Sequence, residues 1–210
     1  MMQKTDWELY YSHPNFSASF ARRIVAARLR KLLLKSIPNR KISIAELGGG
    51  DSSFAQTLYS VFDPVRYAVY DSSKPALDRF RSRSFPSSET FLCDLLAGTS
   101  LPQARFDLVF SIGLIEHFSP EETARLVKLH FSLAKPGGLV VLSFPTPTAL
   151  YHATRFCAEK LGLWRFPDER PLQFQEVRDS ILPVGKILSR HLIRSNFLTQ
   201  LLIAAERFRS

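Results

Sequence analysis

Short apolar runs alternate with longer segments of helical periodicity along most of the chain. The runs near 41–47, 65–70, 89–93, 106–112 and 138–144 read as strands, and 51–62, 73–83 and 119–134 as helices. Such alternation predicts a parallel sheet with helices on both faces. Ser119-Pro-Glu-Glu opens the third of these helices as a capped start, with Pro120 at the first helical position and acids in the first turn. Pro136-Gly137-Gly138 is the expected stop, since proline cannot continue a helix and glycine permits positive φ. Ahead of the alternating region, Asn15 to Ser36 reads as one helix ended by Ile37-Pro38-Asn39. Phe16, Phe20, Ile24, Ala27 and Leu34 fall on one side of it, and Val25, Leu29, Leu32 and Leu33 on another, with Arg and Lys between. Two apolar sides do not make a surface-seeking helix. The expectation is a helix that packs on the core or covers a substrate site, its basic side chains reaching outward. Past Leu142, Pro145-Thr-Pro147 turns the chain, Thr148 to Leu161 reads as a helix, Gly162 to Pro171 as an aromatic, charged loop, and Phe174 to Ile181 as a short helix. There is no internal repeat and no low-complexity segment.

One junction carries chemistry. Ile44-Ala-Glu-Leu-Gly-Gly-Gly-Asp-Ser-Ser-Phe-Ala55 reads as a buried strand, a glycine turn and a helix start. Gly48, Gly49 and Gly50 carry no Cβ, so a ligand can approach the peptide groups to contact distance. Many strand-to-helix turns use glycine without any ligand. Asp71, 25 residues beyond Glu46 and at the end of the next apolar run, changes the balance, because an acid there accepts hydrogen bonds from ribose hydroxyls. A dinucleotide would want a third glycine near Ser53 and an uncrowded helix N-terminus for its pyrophosphate. Asp51 is instead expected to cap that helix, and its carboxylate would repel a diphosphate. A crevice rimmed by Glu46, Asp51, Asp71 and Asp94 suits S-adenosylmethionine better, an adenosine with a cationic sulfonium and no phosphate.

Glu46-Leu-Gly-Gly-Gly, Asp71-Ser-Ser-Lys-Pro-Ala-Leu77, Cys93-Asp-Leu95, Phe106-Asp-Leu-Val-Phe-Ser-Ile-Gly-Leu-Ile-Glu-His-Phe118 and Leu133-Ala-Lys-Pro-Gly-Gly-Leu-Val-Val-Leu142 together resemble class I S-adenosylmethionine-dependent methyltransferases in order and spacing, from about residue 41 to 145. The resemblance implies a Rossmann-like, doubly wound α/β fold with a seven-stranded, mostly parallel sheet. Lys186 to Ile193 and Leu198 to Phe208 would be its closing antiparallel pair. It implies residues 1–40 as an N-terminal helical extension or lid and 41–210 as the methyltransferase domain, with a substrate-side insertion over 145–185. It also implies that Glu46, Gly48 and Gly50 hold the methionine part, Asp71 and Ser72 the ribose, and Asp94 with Leu95 the adenine, while Ser111 lines the pocket near the transferable methyl. The family's third alternating glycine falls at Ser52 here.

Composition narrows the setting. A chain of 210 residues, 45% of them hydrophobic, fits a single domain with a sizeable core and excludes a disordered protein. No apolar run reaches the roughly 18–20 residues of a membrane span, and the first residues are too polar for a signal peptide, so a cytoplasmic protein is expected. Cys93 and Cys157 belong to no metal-spaced cluster and are expected as reduced, mostly buried thiols. The net charge of +9 is uneven: residues 1–45 carry nine Lys and Arg against two acids, 46–150 nine against eleven, and 151–210 ten against six. Basic flanks around a slightly acidic centre allow an anionic or amphiphilic acceptor, or peripheral contact with an anionic membrane, and equally a solvated basic face.

His117, after the fourth strand, is the candidate catalytic residue, because an imidazole can take a proton from a hydroxyl or amine near neutral pH. Shaping of the pocket floor is the competing role, with Glu116 orienting the ring. His130 reads as surface or packing, His152 and Tyr151 as acceptor-side contacts, and His13 as part of an aromatic N-terminal lid. No histidine pair has metal-ligand spacing with a carboxylate, so no metal is expected. Ser111-Ile-Gly-Leu114 lacks the Asn or Asp followed by Pro-Pro and an aromatic that marks base N-methylation, and no RNA-binding module accompanies the cations, which argues against a nucleic-acid substrate. The expected activity is methyl transfer to a small molecule, at oxygen in preference to nitrogen or carbon. The alternatives are a catalytically silent cofactor-binding partner protein and, less favoured, a nucleotide-dependent oxidoreductase.

Overall fold

A computed structural model describes residues 5, 7, 16–97, 101, 103, 105–195 and 198–209. The strands are β1 (Ser43–Leu47), β2 (Arg66–Asp71), β3 (Ser88–Leu92), β4 (Phe106–Ile112), β5 (Ala134–Pro145), β6 (Gly185–Ser195) and β7 (Leu198–Arg207). They form one sheet in the order β3-β2-β1-β4-β5-β7-β6. The first five run parallel, and β7 pairs antiparallel with both β5 and β6. Every residue of β1 is buried, as are Tyr67–Asp71 of β2, because helices cover both faces. The order reverses between β1 and β4, so their C-terminal ends open a crevice of the kind where ligands bind in doubly wound sheets.

The helices are α1 (Phe16–Ser36), α2 (Ala55–Tyr59), α3 (Lys74–Ser82), α4 (Pro120–Leu133), α5 (Ala149–Lys160) and α6 (Phe174–Ile181). Val25, Leu29, Leu32 and Leu33 of α1 share one core cluster with Ile44 of β1, Phe110 of β4 and Ile193 of β6. Ile24 is only partly buried and Leu34 is exposed, so packing on the sheet selects the second of the two apolar sides. On the opposite face α4 sets Leu126, Val127 and Phe131 against Val109, Val140 and Ile203. Its start is a full capping box: Ser119 Oγ accepts from Glu122 N, and Glu122 Oε2 accepts from Ser119 N at 3.0 Å. By contrast, α5 buries a single side chain, Tyr151.

Three local expectations are corrected. The helix read over 51–62 shrinks to Ala55–Tyr59, since residues 51–54 are taken up by turns. Asp51 does not cap it; Ser52 Oγ accepts from Ala55 N at 3.2 Å, while the Asp51 carboxylate lies 4.0 Å from Arg79. Pro136-Gly137-Gly138 does not end α4, which stops at Leu133 with Ala134 already extended. Those residues fall within β5, where pairing jumps from Phe106–Ala134 to Leu108–Leu139, and they form the irregularity in the ladder. No described helix is long and apolar enough to cross a membrane.

Candidate functional site

The turn after β1 is built by backbone conformation. Gly48, Gly50 and Ser52 have φ of 63°, 54° and 50°, an alternation that glycine adopts without strain and serine does not. Holding a serine there costs roughly 1–2 kcal/mol. Ser52 is fully buried and compensates through its hydroxyl, which donates to Glu46 Oε2 and lies 3.2 Å from Tyr67 Oη. Tyr67 also donates to Glu46 Oε2, at 2.7 Å. Glu46 lies directly under the turn: a Cβ on Gly49 would come within 2.7 Å of Glu46 Cγ and 2.9 Å of Val69 Cγ1. Burial pushes its carboxyl up to about 7, against the opposing effect of the two hydroxyl donors.

Asp71 closes the other side. Its Oδ2 accepts from Gly50 N at 2.7 Å and its Oδ1 from Ser73 N at 2.7 Å, so the carboxylate ties the glycine turn to the end of β2. Burial raises its pKa, and the backbone donors at Ser73, Gly50 and Ser72 oppose that rise. Asp94, beyond β3, is exposed and accepts from Leu96 N at 2.8 Å. Glu46, Gly48, Gly50, Asp71 and Ser72 therefore come together at the ends of β1 and β2, and Asp94 with half-buried Leu95 follows the end of β3.

Ser111 does not join them. It is fully buried, and its hydroxyl lies 2.9 Å from His130 Nε2 on α4, so its side chain serves the core in place of the pocket wall expected of it. His130 is accordingly an interior residue, with Nδ1 2.7 Å from the Leu126 carbonyl, and burial pushes its pKa down to about 4.

A second cluster forms where β4 ends. Ile115–His117 makes one 3₁₀ turn, and the loop after α5 folds back onto it through Arg170 N, which donates to the Glu116 carbonyl at 2.9 Å. This brings Asp168 to His117, with Nδ1 and Oδ1 3.0 Å apart. Asp168 also accepts from Thr5 N at 3.0 Å and from the Thr5 hydroxyl. Burial works against the Asp168 carboxylate, yet the hydrogen bonds from Thr5 and His117 outweigh it and hold the pKa below the usual value. Burial also lowers the His117 pKa, with Asp168 opposing, so the ring is neutral near pH 7. The indole of Trp7 packs edge-on to His117 at 4.9 Å, and Phe166 lies 5.9 Å from it. Thus Asp168, and not Glu116, orients the imidazole. Residues 8–15, including His13, lie outside the described residues. His152 is exposed on α5.

Glu116 is 2% exposed, and its Oε2 has no hydrogen-bond partner among the described residues. Burial raises its carboxyl well above the ordinary range, and Glu169 and Asp168 add to the rise. Glu169 accepts from Tyr151 Oη at 2.6 Å, and burial pushes it up to about 7. The expectation of no metal rested on sequence spacing alone. The fold places one potential ligand atom each from Glu116, His117 and Glu169 within 4.8 Å of one another. Asp168 and Glu169 were read only as part of a charged loop, and their adjacency to each other was the one available signal.

The family model described as a methyltransferase domain matches residues 17–184. No curated protein matches the sequence. Among solved structures, the chain is similar to a magnesium protoporphyrin IX methyltransferase from Synechocystis PCC 6803 with bound S-adenosylhomocysteine, at 15% identity over 96% of this chain and 92% of that one, with a TM-score of 0.76. It is also similar to a Burkholderia thailandensis 1,6-didemethyltoxoflavin-N1-methyltransferase, at 15% identity, 90% and 78% coverage and a TM-score of 0.66. A Bradyrhizobium japonicum N-methyltransferase matches at 17% identity, 90% and 97% coverage and a TM-score of 0.64.

Proposed function

Because the chain belongs to the methyltransferase-domain family of class I S-adenosylmethionine-dependent enzymes, we propose that it moves the methyl group of that cofactor to an oxygen of a small-molecule acceptor. The observation that carries this reading is the turn at 48–52, with its alternating positive φ between the buried carboxyls of Glu46 and Asp71. Gly49 lets the turn lie directly on the Glu46 side chain, where a Cβ would collide, and the carboxyl groups suit a cationic nucleoside where they would repel a diphosphate. Glu46 and the glycines would hold the methionine part, Asp71 and Ser72 the ribose, and Asp94 with Leu95 the adenine. When bound, the cofactor supplies a methyl already activated on sulfonium.

The chain's own task is then to align the acceptor, keep water away and handle one proton. Trp7 and Phe166 pack against His117, and Thr5 holds its partner Asp168 in place. Asp168 accepts from Nδ1–H, which leaves the lone pair on Nε2. An acceptor hydroxyl must lose its proton for methyl transfer, and a neutral imidazole near pH 7 can take it. This need is what favours oxygen as acceptor atom. Phe156, Leu161 and Leu163 are exposed beside Lys160 and Arg165, which supports an amphiphilic or anionic acceptor.

Calorimetry with S-adenosylhomocysteine tests the donor half. Wild type should bind, and Asp71→Ala should bind at least tenfold more weakly. Failure of the wild type to bind, or undiminished binding by the variant, would overturn the reading. Incubation with methyl-labelled cofactor and fractionated cell extract then tests the acceptor half, with label expected in an alkali-stable ether of a small molecule.

A further inference from the structure

We propose that Glu116, His117 and Glu169 form a divalent-cation site at the acceptor end, on which the acceptor's oxygen is held. The inference rests on the methyltransferase reading above and adds to it the means by which the acceptor is gripped.

The first ground is convergence. A carboxylate from the 3₁₀ turn after β4, the adjacent imidazole and a carboxylate from the loop after α5 bring one ligand atom each to within 4.8 Å of the others. The second is an unmet valence. Glu116 is almost fully buried and its Oε2 has no hydrogen-bond donor among the described residues, which is costly for a carboxyl group unless something else occupies that direction. Among the described residues, no guanidinium is hydrogen-bonded or ion-paired to the carboxylate of Glu116 or Glu169. Arg155 donates to the Glu169 carbonyl at 2.6 Å and to Tyr151 Oη at 3.3 Å and pairs with Glu159, while Arg170 donates to the Phe118 carbonyl and pairs with Glu176.

The third ground is the outer layer. Metal-ligating histidines usually give their other ring N–H to a carboxylate, as His117 does to Asp168, which is in turn held by Thr5. Glu169 is oriented likewise, by Tyr151 Oη. Three protein ligands leave coordination positions open for an acceptor, the pattern of a working site and not of a closed structural one. One imidazole with two carboxylates is a mixed nitrogen and oxygen donor set, suited to Mn²⁺, Fe²⁺ or Zn²⁺ more than to Ca²⁺.

With a cation present, the Nε2 lone pair becomes a ligand, and the part given to His117 changes. The cation lowers the pKa of the acceptor hydroxyl it holds. The O–H bond breaks with its proton passing to water, the new O–CH₃ bond forms, and the S–CH₃ bond breaks with its electron pair returning to sulfur.

The test uses Mn²⁺ on the chelator-treated full chain, followed by the loss of the free-ion paramagnetic resonance signal. One equivalent should bind per chain. Glu169→Gln and Glu116→Gln should each weaken binding by about 10–100-fold, while S-adenosylhomocysteine affinity, measured alongside, shows that the variants are folded. Asp71→Ala should bind Mn²⁺ as wild type does. Wild-type binding no tighter than that of a Glu116→Gln/Glu169→Gln double variant would overturn the site and leave the cofactor reading standing. Loss of cofactor binding with Mn²⁺ retained would do the reverse.

Discussion

Glu46 is the residue whose charge state most directly couples the proposed cofactor site to folding. Burial lifts its carboxyl from an ordinary value of 4.5 to about 7, so the folded chain holds this proton more tightly than the unfolded chain does. The stability it contributes is complete below pH 4.5 and is lost as pH rises through 7. At pH 8 the loss is at most about 3 kcal/mol. Glu46→Gln, which cannot ionise, should gain stability relative to wild type between pH 4.5 and 7 and hold that gain above it, as read by urea unfolding of the ligand-free chain at several pH values. A gain independent of pH would place the carboxyl in its ionised form throughout. Glu46 and Asp71 were legible in the sequence because each lies on a strand end beside a turn of distinctive composition. Asp168 and Glu169 were not, because their partners at Thr5, Glu116 and His117 lie far along the chain in segments with no shared periodicity. Ser111 was misplaced for a related reason: alternation along β4 gives it a face, but only the position of His130 on α4 shows which face is open.

The elements were read almost to the residue where packing and pattern agree, as for β4, α4 and α6. They were misread where side chains override propensity. The segment 51–62 has the composition of a helix, yet its first turn is given up to the positive-φ conformation of Ser52. Closure of the sheet also depends on a position that carries no sequence signal. A Cβ on Gly185, the first residue of β6, would lie 2.3 Å from Phe131 Cε1 and 2.5 Å from the Glu206 carbonyl oxygen. The ring could shift, but the carbonyl belongs to the β6–β7 pairing and cannot. Gly185→Ala should therefore cost about 3 kcal/mol or more, at the upper end for overpacking. Gly162→Ala, with positive φ but open space around it, should cost only about 1–2 kcal/mol. Denaturant unfolding of the two variants side by side checks the order, and equal losses would show that β6 is not fixed by this contact.

At the scale of the whole molecule, the division at residue 40 suggested by the motifs does not coincide with the division of the core. The buried face of α1 spans Val25, Leu29, Leu32 and Leu33, and burying four such side chains stabilises by roughly 6–12 kcal/mol. Domains of this size are stable by only about 5–15 kcal/mol in total. A chain starting at residue 41 should accordingly fail to fold cooperatively, giving no sigmoidal thermal transition by circular dichroism, whereas one starting at residue 16 should retain it. A cooperative transition in the shorter chain would make α1 an accessory and not a part of the core. The motifs mislead here because they mark the strand-end turns of the proposed cofactor site. Hydrophobic burial follows a different boundary.

Helix α5 stands at the other extreme from α1. Because Tyr151 is its sole buried side chain, nearly all of its surface is free of folding constraint, although it flanks the acceptor end through the Tyr151–Glu169 hydrogen bond. Phe156 on this helix, and Leu161 and Leu163 just after it, are exposed and can therefore change with little loss of stability. Under the proposed function, duplicated copies of such a gene could diverge in substrate through this helix and the loop that follows it while sharing an unchanged donor half, and a combinatorial library confined to that outer surface is where new acceptors would first be sought.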